Sequence, residues 1–589
     1  MSASGRGDVW LRRLANTYLA AVAVFAVAVS AHAAQFHLAD LFVDDWRVLD
    51  HYQSQPLFAY LTTPENGHHI PLTLALFALD HELFGGRMHL LVALAVVCLA
   101  LACALLARAL RAHDGLAGPV PRLVLGFACF ALFWAASCHD LLWGLNQDSL
   151  QAVALLVLAL SAVDAIPQGA SRVVWRPLAT AFLAAFAATF SQAVGVASWA
   201  ALVAAAVVRR LGGRLVAGLA ASGALVVAVY AASIPPHPKI SFGDSLAFAA
   251  REPLSLAELT LAFVGSAPAH VAVGLGVGAP MPHEPKRSAW AAHTRDLYRL
   301  SLRFGIAGLA LFAALAFGRW RHPLPRSRID ALCVGLMAFG LAGAFLVGFA
   351  RASIFGPAAV VQTRFVTWSA LFWIGAACGL VPRDPERQAS PAVRVAALLL
   401  PLVSAGMLPA LWDAHAFHAT RVIQARKLAI SLQLGLRDDQ LARRESIHEA
   451  ELVFRVADRL RAEGRTPFDG PRHQLRGAPL RERFAEAGSC VGALERARPV
   501  SAGESAAIEV WGWVGAETAR TAPGFVVVAN RAGVIHGLAD FAAAGPQRVP
   551  GRVGWSGFVA DYDPGESYTG WAVSADGRSA CELKVEGKE

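Results

Sequence analysis

Charged residues are scarce in this chain. They make up 16% of its 589 residues, while 56% are hydrophobic. A soluble domain carries about 25% charged residues, so this shortage, with a mean hydropathy of +0.47, excludes an all-soluble protein and assigns much of the length to lipid. A basic stripe or nucleic-acid reader motif is also missing. The net charge of +9 comes from arginines that recur between apolar runs, as cytoplasmic loops do, and no nucleic-acid partner is expected. There is no CxxC or other metal-type cysteine spacing. No internal repeat or low-complexity tract is evident, which counts against a transporter built from two matching halves.

Of the eight cysteines, Cys98, Cys103, Cys129, Cys138, Cys333 and Cys378 lie in or beside apolar runs and read as small core residues. Cys490 and Cys581 differ. They bracket the polar C-terminal region with no cysteine between them, and a disulfide joining them is expected if that region lies outside the cytoplasm.

A span needs about 20 apolar residues. The first candidate is Leu14–Ala34, preceded by Arg6, Arg12 and Arg13. It is long for a signal-peptide core and other hydrophobic segments follow, so it reads as an uncleaved span with a cytoplasmic N-terminus. Further candidates are 88–110, 122–138, 149–165, 177–190, 194–208, 215–233, 299–317, 330–350, 364–381 and 393–412. Alternating them leaves Arg108, Arg111 and Arg122, then Arg172 and Arg176, then Arg209, Arg210 and Arg214, and later arginine clusters, on one side. That is the positive-inside pattern, and it predicts about eleven spans with the C-terminus outside. The predicted location is a bacterial inner membrane. Within the long loop 234–298, Ser255–Val277 is apolar but interrupted by Pro268 and His270, and reads as a re-entrant or interfacial segment.

Beyond Asp413 the character changes. Residues 414–490 read as an extracytoplasmic helical linker with mixed charge. From there to 589, short β-prone runs separated by turn residues predict a small β-sandwich. Trp511, Trp513, Trp555 and Trp571 are expected in its core. The predicted fold is therefore an α-helical polytopic membrane domain, residues 1–413, with a C-terminal β-sandwich, residues 491–589.

Polar groups cluster at the ends of the early spans. Asp44 and Asp45 sit in Leu41-Phe42-Val43-Asp44-Asp45-Trp46-Arg47. Adjacent residues point in different directions, so one can enter a pocket while the other caps a helix or pairs with Arg47. Glu65, His68 and His69 follow, then His139, Asp140, Trp143 and Asp148, and much later Arg351 and Arg364. Charged groups at the membrane boundary are costly to bury and pair or line a cavity. Asp, Glu and two histidines can ligate a divalent cation, but adjacent histidines lack the i, i+4 spacing of a helical metal pair; a metal is left open, and no cofactor is otherwise expected.

The order of a span, Asp44-Asp45-Trp46-Arg47, then Ile70-Pro71-Leu72-Thr73-Leu74-Ala75-Leu76 leading to Leu83-Phe84-Gly85-Gly86, then another span, resembles the first outer loop of GT-C-type integral membrane glycosyltransferases. These include protein O-mannosyltransferases and lipid A aminoarabinose transferases. Asn146-Gln147-Asp148-Ser149-Leu150 resembles that family's second-loop acidic motif. The resemblance covers mainly residues 10–165. Asp45 stands where Glu is commoner, Ile70-Pro71 replaces a double proline, and the paired histidines are this chain's own. The resemblance implies transfer of a sugar from a polyprenyl-phosphate donor to an extracytoplasmic glycan, lipid or protein. In that chemistry Asp44, with Asp45 second, is the general base. Arg351 and Arg364, with Lys239 third, bind the donor phosphate. Glu65, His68, His69, Asp148 and Trp143 contact substrate. Two rival readings are a flippase for a lipid-linked glycan and a non-catalytic scaffold or sensor.

Overall fold

A computed structural model of the chain describes residues 3–65, 67–114, 116, 118–167, 174–234, 242–279, 287–321, 328–356, 360–382, 389–446, 449–502, 505–515, 523–541 and 551–584. It is mostly helical. The helices are α1 (Ala3–Phe36), α2 (Asp44–Ser54), α3 (Leu57–Thr62), α4 (Pro71–Phe84), α5 (His89–Asp114), α6 (Pro119–Ser137), α7 (Gln147–Asp164), α8 (Trp175–Thr189), α9 (Ala197–Val208) and α10 (Gly213–Ser233). There follow α11 (Phe242–Arg251), α12 (Pro253–Val264), α13 (Ser266–Gly274), α14 (Arg287–Arg321), α15 (Arg328–Phe355), α16 (Val366–Cys378), α17 (Pro391–Gln433), α18 (Asp439–Ser446), α19 (Ala450–Glu463) and α20 (Leu480–Arg483). Two compact units divide these elements: Met1–His37, Leu61–Phe77 and His89–Phe417 form one, and Leu38–Tyr60, Ala78–Met88 and His418–Glu589 form the other.

The first unit is a helical bundle. Among the described residues eight helices are long and apolar enough to cross a membrane, nine if α12 and α13 count as one span. The other three of the eleven expected spans fall on α8, α9 and α16, which have 15, 12 and 13 residues. At 1.5 Å per residue the longest of them reaches roughly 23 Å, short of the ~30 Å hydrocarbon thickness. The helices α6, α7 and α15 lie inside the bundle, while α1, α10, α14 and α17 form its outside. On those outer helices Val24, Val27, Leu225 and Leu402 are each about two-thirds exposed, an apolar exterior that suits acyl chains rather than water. Inside, the Trp134 indole N–H donates to the Met407 carbonyl at 2.8 Å, and Tyr18 and Ser404 share a 2.5 Å hydroxyl contact. The segment expected to be re-entrant is the bent pair α12 and α13, which meet at 57°. A Cβ at Gly305 would collide with the Leu261 carbonyl, so α14 crosses α12 with the close approach that small residues permit.

The second unit ends in seven strands: β1 (Ala485–Ala502), β2 (Ser505–Gly515), β3 (Pro523–Asn530), β4 (Ile535–Phe541), β5 (Arg552–Ala560), β6 (Tyr568–Ser574) and β7 (Ser579–Lys584). They form a closed barrel in the order β1-β2-β5-β4-β3-β6-β7, not the expected sandwich. Closure comes from parallel pairing of the first strand with the last, Ala485 opposite Ser579 and Val491 opposite Lys584; all other pairs are antiparallel. A disulfide joins Cys490 and Cys581 across that seam, with Cα atoms 5.5 Å apart. The core holds Ile508, Val510, Val514, Val526, Val528, Trp555 and Val559. Side chains alternate along a strand, so Trp511 and Trp513 take the face opposite Val510 and Val514. Trp511 faces Lys427 and Arg498, and Trp513 lies 3.9 Å under the Arg552 guanidinium. Of the four expected core tryptophans, Trp555 alone is in the barrel's apolar core.

Candidate functional site

Five pieces of the first unit contribute to one polar cluster. The first is the turn before α4. Glu65 and His68 exchange both backbone hydrogen bonds at 2.8 Å, and Gly67 between them has φ of 75°, a conformation that favours glycine. This turn buries Glu65 to 3% exposure. It also presents His69 to α10: the His69 Nε2 is 2.8 Å from the Ser233 carbonyl oxygen, and its ring meets Tyr230 edge-on.

The second and third pieces supply the cations. Arg351 lies near the end of α15, and Arg364 lies in the 3-10 turn Thr363–Phe365 that leads into α16. Both guanidiniums flank the ring of Phe365, at 5.6 and 5.0 Å from its centroid. Phe365 is itself buried against Phe263. Thus residues 13 positions apart in sequence aim at one apolar surface. Their charges reach His68: loss of water around its imidazole, and then repulsion by Arg351 and Arg364, push its pKa down to about 3. His68 is therefore neutral at physiological pH, able to donate from one ring nitrogen and accept at the other.

The fourth piece is the loop between α6 and α7. Asp140 is buried there to 2% exposure. Its Oδ2 accepts the Thr367 hydroxyl hydrogen at 2.6 Å, at the first turn of α16, where a helix N-terminus favours negative charge. Its Oδ1 is buried and has no hydrogen-bond partner among the described residues. Burial drives the Asp140 pKa well above the usual carboxylate range, with Asp148 adding repulsion and Arg364 and Thr367 opposing the shift. Asp148, the fifth piece, stands in the first turn of α7 and takes the Ser149 N–H at 2.5 Å.

The sequence-predicted residues therefore divide. Arg351, Arg364, His68, Glu65 and Asp148 fall in this neighbourhood, with His69 anchored to α10. Trp143 is 8% exposed and its ring meets His139 edge-on at 5.8 Å, an interior aromatic rather than an open platform for a sugar ring. Lys239 lies outside the described residues. Asp44 and Asp45 belong to the second unit. There Asp45 is fully buried and accepts the Phe42 N–H at 2.9 Å, closing the turn that starts α2, while Asp44 is 3.3 Å from the Arg47 guanidinium. Asp45 thus closes the turn and Asp44 pairs with Arg47, the two roles expected for whichever of the acids stayed out of a pocket. Thr367 is the residue that sequence reasoning passed over, and Asp140 was noted among the polar groups but given no role. His139-Asp140 is visible in the sequence, but burial is what sets Asp140 apart, and burial is not written in a loop of this length. Among the described residues no group of three or more His, Cys, Asp or Glu side chains is arranged to hold a metal ion.

No protein-family model, curated protein or solved structure matches this chain.

Proposed function

We propose that this chain is a multi-pass membrane glycosyltransferase that moves a sugar from a polyprenyl-phosphate carrier to a glycan, lipid or protein acceptor outside the cytoplasm. On this reading the chain crosses the membrane an odd number of times, nine when the bent pair α12 and α13 counts as one span, so that its N-terminus is cytoplasmic and its barrel extracytoplasmic. One observation carries it: two arginines converge on the buried ring of Phe365, within electrostatic reach of His68, and Arg364 is also within reach of the buried Asp140. Paired guanidiniums against an apolar surface suit a phosphate that bears an apolar tail.

In the transfer step the acceptor hydroxyl gives its proton to a carboxylate as its oxygen bonds to the anomeric carbon. The bond between that carbon and the phosphate oxygen breaks, and the electron pair leaves with polyprenyl phosphate. The growing phosphate charge is met by Arg351 and Arg364, whose planar forks remain charged throughout. Asp44 is the base that the family resemblance suggests, with Asp45 second, and Asp140 is the acid that burial and an unpartnered oxygen add. Glu65, neutral His68 and Asp148 hold sugar hydroxyls, and Lys239 is a further cation for the donor.

The test is transfer by full-length protein in lipid nanodiscs, supplied with polyprenyl-phosphate sugars and membrane glycan acceptors. Arg364→Ala is expected to lower turnover by roughly 100- to 1,000-fold, the scale of removing one donor aimed at developing charge. Asp44→Asn is expected to abolish transfer and to leave retention of the polyprenyl phosphate unchanged. Full turnover in an Arg351→Ala, Arg364→Ala double variant would end this reading. Movement of the carrier between leaflets with no sugar released would favour a flippase.

A further inference from the structure

A cavity lies at the end of α7 remote from Asp148. It has a volume of about 290 Å³ and opens between α5 and α8, with α7 packed against both helices. Sixteen residues separate Asp148 from Asp164 on its rim, roughly 24 Å along α7, so it is distinct from the cluster described above. Leu105, Ala109, Leu158, Ala162 and Pro177 form its apolar wall. Arg108 and Arg176 stand on its lining from the two flanking helices. Both are exposed, and neither makes an ion pair among the described residues.

We propose that this cleft binds the headgroup of an anionic phospholipid, with the phosphate held by Arg108 and Arg176 and the first acyl methylenes against the apolar wall. Three features commit the site to that occupant. First, the charge is complementary. Asp164 also lines the cleft, but Arg209 already neutralises it, 3.1 Å from its Oδ1, and bonds the carbonyls of Asp164 and Ile166. The two unpaired arginines therefore set the sign of the site. A zwitterionic headgroup would bring a second cation toward them, whereas a singly charged anionic lipid would not. Second, the level is that of a membrane interface. Trp175 is 67% exposed with the Arg176 guanidinium 5.9 Å from its ring, the pairing of aromatic and arginine that marks headgroup depth. Below it Leu183 is 63% exposed on the same helix, giving an acyl chain an apolar track. Third, the wall has spare hydrogen-bonding capacity. The Ser161 hydroxyl is buried without a partner among the described residues and can meet a phosphate or glycerol oxygen. Basic pockets between spanning helices are established sites for anionic headgroups.

The experiment uses the full-length protein in micelles with equimolar phosphatidylglycerol and phosphatidylcholine, read by native mass spectrometry. The wild type is expected to retain phosphatidylglycerol at least tenfold over phosphatidylcholine, and an Arg108→Ala, Arg176→Ala double variant to lose that preference. Ala109→Phe, which fills the cavity without touching charge, is expected to lose it as well. Arg214→Ala, an exposed arginine outside the cleft, is expected to keep it. An unchanged preference in both the double variant and Ala109→Phe would overturn the proposal. So would displacement of the lipid by millimolar inorganic phosphate, which would mark a site for a soluble anion.

Discussion

At the scale of single residues, Asp140 combines two properties rarely kept for packing alone: nearly complete burial and a carboxylate oxygen with no partner among the described residues. An unsatisfied buried polar group costs about 1–3 kcal/mol. Asp140→Asn keeps the shape, the Thr367 contact and one unpartnered polar atom but removes the ionisation that burial disfavours, so it is expected to stabilise the protein at pH 7. The pH dependence has a definite sign. The folded-state pKa of Asp140 is raised above its ordinary value of 3.8. The penalty is therefore absent below that value and grows as pH rises toward the folded pKa. The thermal midpoints of wild type and Asp140→Asn should converge near pH 4 and separate toward neutrality. If Asp140 serves the transfer, the same variant loses about 100-fold or more in turnover. A variant both less stable and fully active would make Asp140 a structural residue.

At the scale of elements, α2 carries Asp44 and Asp45 and is held to α19 within the second unit. Asp50 on α2 accepts two hydrogen bonds from Arg455, at 3.1 and 2.9 Å, and Arg459 stands 3.8 Å away. On the neighbouring segment Glu82 accepts the Tyr52 hydroxyl and the Arg465 guanidinium, each at 2.7 Å. Arg455→Ala leaves the Asp50 carboxylate largely buried with one distant cation, and is expected to lower stability by about 1–3 kcal/mol. Amide hydrogen exchange should quicken in α2 and not in α6; unchanged exchange in α2 would mean that apolar packing alone fixes that helix. None of this clamp was legible in the sequence, because Asp50 and Arg455 are 405 residues apart and both look like ordinary surface charge. The long apolar helices were legible, since a run of about 20 apolar residues has few soluble alternatives. The short helices α8, α9 and α16 were read as spans because apolar composition does not report helix length, and in α9 and α16 it reports burial in protein and burial in lipid alike. The arginine pair illustrates the same limit: Arg351 and Arg364 could be named from their positions at the ends of apolar runs, but their convergence on Phe365 depends on the 3-10 turn before α16.

At the scale of the molecule, the barrel's architecture turns on its two end strands. The inner strands could be read from alternating apolar residues, but β1 is rich in Ala, Glu and Gly, residues depleted in strands, and was assigned in part to the linker. With the start of β1 placed in the linker, its pairing with β7 could not be read, and a set of short strands without that pairing reads as a sandwich. Parallel pairing of first and last strands removes those edges, and the Cys490–Cys581 bond sits on the seam, where a register irregularity falls between Glu486 and Ser489. The bond closes a chain separation of 91 residues, so in the chain-entropy account it contributes about 4–5 kcal/mol. Replacing both cysteines with serine is expected to lower the barrel's unfolding free energy by about 2–5 kcal/mol, and amide exchange should accelerate first in β1 and β7. The helical bundle holds no part of that seam, and its thermal transition, followed by cysteine-directed labelling of buried Cys333 and Cys378, should stay where it is. A barrel equally stable without the bond would mean that backbone pairing between β1 and β7 suffices to hold the closure.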